Sequence, residues 1–204
     1  MTRFDIVTGI AAPLMRNNID TDAIIAARAM EGGARDFGAV VFTNWRFDLE
    51  WKERPEFVLN QPRYRGATFM VAGRNFGCGS SRESAVWALA QYGIRAVIAP
   101  SFGDIFHENA LQNGLLPIPL EDEMVKHIAE AIERSNDASM TVDLVHSEIH
   151  VAGIPPVPFR IAPERRRALL EARGDFDLLV EQLPGIMEFE AKDRTARAWM
   201  ELER

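Results

Sequence analysis

The sequence is poor in the residues that build disulfides, thiolate metal sites and membrane spans. It holds one cysteine, Cys78, in 204 residues, which excludes an internal disulfide and any metal or cluster site made from its own thiolates alone. No apolar run approaches the ~20 residues that cross a bilayer, and the N-terminus lacks the apolar region of a signal peptide. We therefore expect a cytoplasmic protein that does not bind membranes.

Positive charge is also in deficit. The chain carries 23 Lys and Arg against 30 Asp and Glu, a net charge of −7 at pH 7, which argues against nucleic acid as a general partner.

One sizeable core fits a chain of this length. We expect a single domain over residues 1–204, in which residues 184–204 form a C-terminal helical tail.

The middle of the chain alternates between short apolar runs and helical patterns. The apolar runs predict strands over Thr68–Gly73, Ala96–Ala99 and Leu115–Leu120. The patterns between them predict helices over Arg82–Gly93 and residues 101–113. Strand–helix–strand order at these lengths implies parallel pairing through right-handed crossovers. The predicted fold class is therefore α/β, with a mainly parallel central sheet and flanking helices.

Apolar spacing within the two predicted helices indicates which side chains turn inward. The inward residues are expected to be Val86, Leu89 and Ala90 in the first helix, and Ile105, Phe106, Ala110 and Leu111 in the second. Ser101 is predicted to cap the second helix, with Asp104 three residues later.

The flanking regions add further elements. Residues 4–15 predict one strand or two short ones, and residues 31–66 predict a long loop with short helical pieces, a kind of loop that is often functional. After the sheet come a helix, a small antiparallel portion and two more helices. These are expected over Glu121–Arg134, then Met140–Val145, Glu148–Val151 and Val157–Ile161, then Pro163–Arg173 and Asp175–Gln182.

The stretch Gly73–Glu83, with the sequence GRNFGCGSSRE, is the most informative part of the chain. It lies on a turn between a predicted strand and a helix N-terminus, where free backbone N–H groups and the helix dipole favour an anion. The hydroxyls of Ser80 and Ser81 and the guanidinium of Arg82 lie on the same turn. Together they indicate a carboxylate or phosphate site with a base beside it.

Simpler interpretations explain only part of this loop. Ser80 and Glu83 have the spacing of a capping box, but capping leaves the glycines, Ser81 and Arg82 unexplained. The loop lacks the lysine of a P-loop, the third glycine of a dinucleotide-binding motif and the pattern of a nucleophile elbow. Cys78 is expected to be a small buried spacer rather than a reactive thiol.

Several motifs resemble the small subunits of 3-isopropylmalate dehydratase, which form the separate swivelling domain of the aconitase superfamily. The resemblance is close from about residue 4 to residue 120 and looser beyond. It is carried by Asp20–Asp22, Asn44–Phe47, Asn75–Glu83, Trp87–Leu89, Ala96–Phe106 and Asn113–Pro117.

The resemblance implies the small subunit of a heterodimeric hydro-lyase in leucine biosynthesis. Such an enzyme interconverts 2-isopropylmalate and 3-isopropylmalate by loss and re-addition of water. The [4Fe–4S] cluster is then expected on the larger partner, and no cofactor or metal on this chain. Among the site residues, Ser80 corresponds to the family's base, Arg82 to a clamp for a substrate carboxylate, and Ser81 to a hydrogen-bond donor. Asp22 matches an acidic residue near the site, with an orienting role; from sequence alone it fits an Asx-turn or an N-cap equally well.

The remaining substrate contacts are expected from the backbone of Gly79 and from a loop that reaches over the substrate in relatives. Arg28 and Arg35 lie in that loop. Relatives commonly carry histidine where this chain has Ser84, so another 2-hydroxy diacid, such as a methylmalate or a homocitrate-like acid, stays open as the substrate.

Two other classes of function would also use the Gly73–Glu83 loop. A non-catalytic module that binds a dicarboxylate would use the same loop without a partner. A serine hydrolase is weaker, because no histidine is placed by motif to activate Ser80. The hydro-lyase interpretation predicts an exposed site at the C-terminal edge of the Thr68–Gly73 strand. It also predicts an apolar docking surface for the large subunit, for which Trp45, Phe76 and Trp87 are candidates. Core packing is expected for at least one of the three.

Overall fold

The computed structural model describes residues 2–26, 36–80 and 82–197, and a seven-stranded sheet runs through this part of the chain. Its strands are β1 (Ile6–Leu14), β2 (Phe69–Ala72), β3 (Ala96–Ala99), β4 (Leu116–Pro119), β5 (Ser139–Asp143), β6 (Glu148–Val151) and β7 (Val157–Pro158). The order across the sheet is β4-β3-β2-β1-β5-β6-β7. Pairs from β1 to β4 are parallel, and those from β1 through β5 and β6 to β7 are antiparallel. The predicted α/β class, with a parallel part and a smaller antiparallel portion, is confirmed.

Helices connect and flank these strands. In chain order they are α1 (Thr21–Ile24), α2 (Thr43–Arg46), α3 (Glu83–Tyr92), α4 (Asp104–Gln112), α5 (Asp122–Arg134), α6 (Pro163–Glu171) and α7 (Asp175–Ala196), with a 3₁₀ turn at Val58–Asn60. Helices α3 and α4 are the crossovers of the parallel part, as the alternating pattern predicted. Both therefore begin at the C-terminal edge of the sheet.

The parallel strands form the centre of the core. All four residues of β2 and all four of β3 are buried, which explains why these strands read as continuous apolar runs rather than alternating ones. Against them α3 buries Val86 and Leu89 together with Ala85 and Ala88. The prediction that Ala90 faces inward is wrong, since it is exposed.

From Asp175 to Ala196 the described chain forms one long helix. The prediction that a helix ends at Gln182 is wrong, because α7 continues through Pro184 to Ala196. A proline inside a helix removes one backbone hydrogen bond, and ion pairs one turn apart, Lys192 with Glu188 and Arg197 with Asp193, support the later turns. None of the described helices combines the length and the apolar content that a membrane span requires. The assignment of residues 184–204 as a tail of a single domain stays a prediction.

The segment from 36 to 66 is a long loop with short helical pieces, as predicted, and a buried arginine organises it. The side chain of Arg46 donates through Nε to Asn60 Oδ1 at 3.3 Å, and Asn60 Nδ2 donates back to the Arg46 carbonyl at 2.7 Å. Burial lowers the pKa of Arg46 from its usual value. The Asn44–Phe47 motif therefore includes a structural arginine.

Candidate active site

The Gly73–Glu83 loop continues the sheet beyond the ends of its parallel strands. The Gly77 N–H donates to the Ile19 carbonyl at 2.7 Å on the β1 side, and the Phe76 N–H donates to the Ser101 carbonyl at 3.0 Å on the β3 side. The loop is thus held between the segments that follow β1 and β3. This position brings the D-T-D turn of residues 20–22 next to the two serines.

Gly77 shapes the loop because only a hydrogen fits where its side chain would be. Its φ is +71°, and a Cβ at this position would lie 2.2 Å from Cγ of Phe106. Phe106 packs edge-on against Phe76, with ring centroids 5.3 Å apart. The close packing of this phenylalanine pair therefore depends on the glycine.

Replacing Gly77 by alanine is expected to lower the free energy of unfolding by about 2–5 kcal/mol, since the left-handed backbone costs about 1–2 kcal/mol and overpacking about 1–3 kcal/mol. The matched control is Gly66→Ala, because Gly66 has φ +72° and nothing within 4 Å of its added Cβ. That control should lose only about 1–2 kcal/mol, the cost of the left-handed backbone. Denaturant unfolding measures both values. Equal losses in the two variants would show that the contact with Phe106 does not matter.

Ser80 is exposed at the mouth of the loop, and its main chain is anchored from two sides. Its carbonyl oxygen accepts the Arg82 N–H at 2.9 Å and the Thr21 hydroxyl at 2.9 Å. Thr21 Oγ1 also lies 3.5 Å from Ser80 Oγ. The hydroxyl of Ser80 is thereby presented to solvent on a fixed backbone.

The capping-box alternative for Ser80 is wrong. Helix α3 begins at Glu83, its N-cap position is Arg82, and no side chain caps it. Glu83 instead accepts a hydrogen bond from Asn113 Nδ2 at 2.9 Å. The predicted cap by Ser101 is wrong in the same way, because α4 begins at Asp104 after Gly103, and Ser101 Oγ accepts the Asn75 N–H at 2.9 Å. Both serines belong to the loop rather than to helix caps.

Arg82 and Asp22 form an ion pair across the site. Arg82 Nη1 donates to Asp22 Oδ1, and the side chain of the arginine is 26% exposed while that of the aspartate is 56% exposed. The N-cap of α1 is Asp20, whose carboxylate accepts the Ala23 N–H at 2.6 Å. Asp22 is therefore not the cap but a partner of Arg82. A guanidinium has five N–H donors in a planar fork, so donors remain for a carboxylate ligand.

A cleft of about 180 Å³ opens beside these residues. It is lined by Thr21, Gly77, Gly79, Ser80, Arg82, Gly103, Asp104, Ile105 and Phe106. The N-cap residue of α3, Arg82, and the first turn of α4 line the cleft, and neither helix has a side-chain cap. Uncapped N–H groups and two helix dipoles favour an anion in the cleft.

The chain matches one family model and is similar to several known proteins. Residues 1–123 match the family model of the aconitase C-terminal domain. A protein of Rhodospirillum centenum called 3-isopropylmalate dehydratase small subunit is 47% identical over 200 residues, which is 98% of both chains. One of the same name from Afipia carboxidovorans is 44% identical, covering 98% of this chain and 100% of its own.

The chain belongs to the family of 3-isopropylmalate dehydratase small subunits. A crystal structure of 3-isopropylmalate dehydratase from Methanocaldococcus jannaschii has the same fold, with a TM-score of 0.61 and 29% identity, over 92% of this chain and 99% of that one. The resemblance predicted from the motifs is confirmed.

Cys78 lies in the Gly73–Glu83 loop, but its thiol lacks the properties of a nucleophile. Partial burial, and to a lesser degree the charge of Asp20, raises the pKa of its thiol, which keeps it protonated at neutral pH. Among the described residues no group of three or more His, Cys, Asp and Glu side chains is arranged to hold a metal ion. The side chains that this part of the chain offers do not fit an iron–sulfur cluster, whose usual ligands are thiolates.

The structure brings together only part of the predicted site. Ser80, Gly79 and Arg82 line one cleft, and Asp22 pairs with Arg82. The other predicted substrate contacts lie outside the described residues: Ser81, Arg28 and Arg35.

Of the three candidates for a docking surface, one packs in the core, as was expected for at least one of them. Phe76 is completely buried. Trp45 is partly buried and stacks on Phe42 with centroids 5.6 Å apart. Trp87 is 38% exposed on α3, where its indole N–H donates to Asn113 Oδ1 at 3.1 Å.

Thr21 and Ile105 are among the residues that line the cleft without having been predicted there. Ile105 was expected to face inward, but it is 53% exposed and lines the cleft. Its spacing fits the buried face of a helix, and only the position of α4 at the rim of the cleft turns it outward. Thr21 stands inside the D-T-D motif, and its burial beside Ser80 was not predicted.

Proposed function

We propose that this chain is the small subunit of a two-subunit hydro-lyase that interconverts 2-isopropylmalate and 3-isopropylmalate. The observation that carries the proposal is the cleft in which Ser80 and Arg82 lie beside two uncapped helix N-termini. A hydroxyl base next to a carboxylate clamp is what elimination of water from a hydroxy diacid requires. Membership of the 3-isopropylmalate dehydratase family supports the choice of reaction.

Ser80 acts in this proposal as the base, in its alkoxide form. Its Oγ takes the proton from the carbon next to a substrate carboxylate, and the electron pair of that C–H bond becomes the new C=C bond. The hydroxyl leaves from the adjacent carbon and is protonated to water by an acid of the partner subunit. Re-addition of water with the two carbons exchanged gives the isomer. The loop amides and the dipoles of α3 and α4 stabilise negative charge on Ser80 and on the substrate.

Arg82 holds a substrate carboxylate, and Asp22 orients Arg82 through their ion pair. Ser81, Gly79, Arg28 and Arg35 are proposed as further substrate contacts. Ile105 offers apolar surface in the cleft, which suits a branched alkyl group better than a third carboxylate. This feature favours isopropylmalate over a homocitrate-like acid.

The partner is proposed to be a large subunit that carries a [4Fe–4S] cluster. The relatives are named as small subunits, and Ser80, which lines the cleft, is exposed. The cluster would supply a Lewis acid for the departing hydroxyl. This chain contributes the base, the carboxylate clamp and the positioning of both.

A cytoplasmic location also stays a prediction.

A stand-alone serine hydrolase is not supported, because no histidine is among the described residues that line the cleft. His107 lies nearby on α4, but its ring rests against Phe102 at 6.0 Å and its Nδ1 is 3.4 Å from Glu108 Oε1. It has no described contact with Ser80 that would activate the hydroxyl.

The test is reconstitution with an anaerobically prepared large subunit. Alkene formation, followed by its ultraviolet absorbance, is measured with 2-isopropylmalate, 3-isopropylmalate, 2-methylmalate and homocitrate. We expect turnover of the two isopropylmalates only when both subunits are present. Preference for another acid would overturn the substrate. A stable heterodimer that turns over none of the acids would overturn the reaction, and a dicarboxylate bound without any partner would favour the non-catalytic module.

A further inference from the structure

Thr21 is buried directly beneath the proposed base. Its side chain is 2% exposed, and its backbone N–H donates to the Cys78 carbonyl at 2.9 Å. Its hydroxyl donates to the Ser80 carbonyl at 2.9 Å and faces Ser80 Oγ at 3.5 Å. One side chain therefore contacts both the main chain and the hydroxyl of Ser80.

The chemistry of a hydroxyl group restricts what each contact can be. Thr21 has one hydroxyl proton, and the shorter contact commits it to the Ser80 carbonyl. At the longer contact of 3.5 Å Thr21 Oγ1 can then only accept, so a hydrogen bond formed there is one that Ser80 Oγ donates. The pair fixes the backbone at Ser80 and favours one orientation of its side chain.

Each of the three residues of the D-T-D motif makes a different contact. Asp20 caps α1, Asp22 pairs with Arg82, and Thr21 joins this turn to the Ser80 backbone. The Ser80 carbonyl also accepts the Arg82 N–H. A single turn after β1 therefore reaches both the proposed base and the proposed clamp.

We infer that Thr21 is a positioning residue for the elimination, acting by holding Ser80 Oγ at the substrate carbon. The inference rests on the proposed function, because it assigns Thr21 a part in the proton transfer by Ser80. A purely structural threonine would support the fold of the loop without changing the rate of C–H cleavage specifically.

The experiment compares Thr21→Val, which keeps the shape and loses the hydroxyl, with Thr21→Ser, which keeps the hydroxyl. Both are assayed as the reconstituted two-subunit enzyme, after circular dichroism and gel filtration show a folded subunit that assembles. We expect Thr21→Val to lower kcat by about 10- to 100-fold, since misplacing a catalytic group by about 1 Å can cost about 100-fold. KM should change less than about threefold, because the clamp is untouched. Thr21→Ser should keep kcat within about threefold of the wild type.

A second readout separates positioning from general damage. With substrate deuterated at the abstracted position, the isotope effect on kcat should be larger in Thr21→Val than in the wild type, because proton abstraction limits the slower variant. Unchanged kcat in Thr21→Val, equal losses in Val and Ser, or an unchanged isotope effect would each overturn the inference. If Thr21→Val does not fold, Thr21→Ala is compared with Thr21→Ser by the same criteria. Absence of wild-type turnover would instead overturn the proposed function.

Discussion

Replacing Ser80 by alanine is expected to lower kcat by about 10²- to 10⁴-fold, the usual contribution of a positioned general base. The variant keeps the backbone that accepts the Thr21 hydroxyl, so the loop should keep its conformation. Ser80 is exposed, and the described contact of its hydroxyl is the 3.5 Å approach to Thr21. Stability should therefore change little, and the loss should appear in kcat rather than in substrate affinity. Steady-state kinetics of the reconstituted enzyme measures it.

The matched control is Ser139→Ala, the same chemical change on β5 in the antiparallel portion of the sheet. It should leave both kcat and KM at wild-type values, and both variants should bind the large subunit equally. If Ser80→Ala lowered kcat by less than about tenfold, the loss would be smaller than the contribution of a general base. Such a result would remove Ser80 from the mechanism.

Replacing Arg82 by lysine should lower kcat/KM by about 10- to 100-fold although the charge is kept. Lysine is a point charge and cannot offer the planar fork that holds a carboxylate by two parallel bonds. Loss of a hydrogen bond to a charged group costs about 1.5–3 kcal/mol, which corresponds to this range. Because the carboxylate is bound in both the ground state and the transition state, most of the change should appear as a higher KM.

Arg134→Lys is the control for the arginine variant. Arg134 is exposed at the end of α5 and lies 3.7 Å from Glu130, a contact that lysine can also make, so its kinetics should match the wild type. If Arg82→Lys bound substrate as well as the wild type, the carboxylate clamp would have to be a different residue.

The parallel part of the fold was predictable because its signals are local. The runs that became β2 and β3 are short, apolar and buried on both faces, and helical patterns of the right length separate them. The helix α7 was harder to predict, because Pro184 is a strong local signal for a helix end. The residues after Pro184 were expected to be helical, and what was not predicted is the continuity of the helix across the proline.

The candidate site was predictable only as far as its motif reached. The loop sequence itself pointed to Ser80 and Arg82, whereas Ser80 and Glu83 also matched a capping box that the structure does not form. Thr21 and Ile105 could not be assigned from spacing, because their roles depend on how the segments after β1 and β3 lie against the loop. Such contacts join residues far apart in sequence, and no local pattern encodes them.

This chain is proposed to supply the base and the carboxylate clamp of a two-subunit site. The most direct test of this proposal is the structure of the reconstituted heterodimer with 3-isopropylmalate bound. We expect a substrate carboxylate on the Arg82 guanidinium and Ser80 Oγ about 3–3.5 Å from the carbon that loses its proton, the separation of a reactive complex. A substrate held entirely by the large subunit, with Ser80 and Arg82 turned away from it, would overturn both assignments.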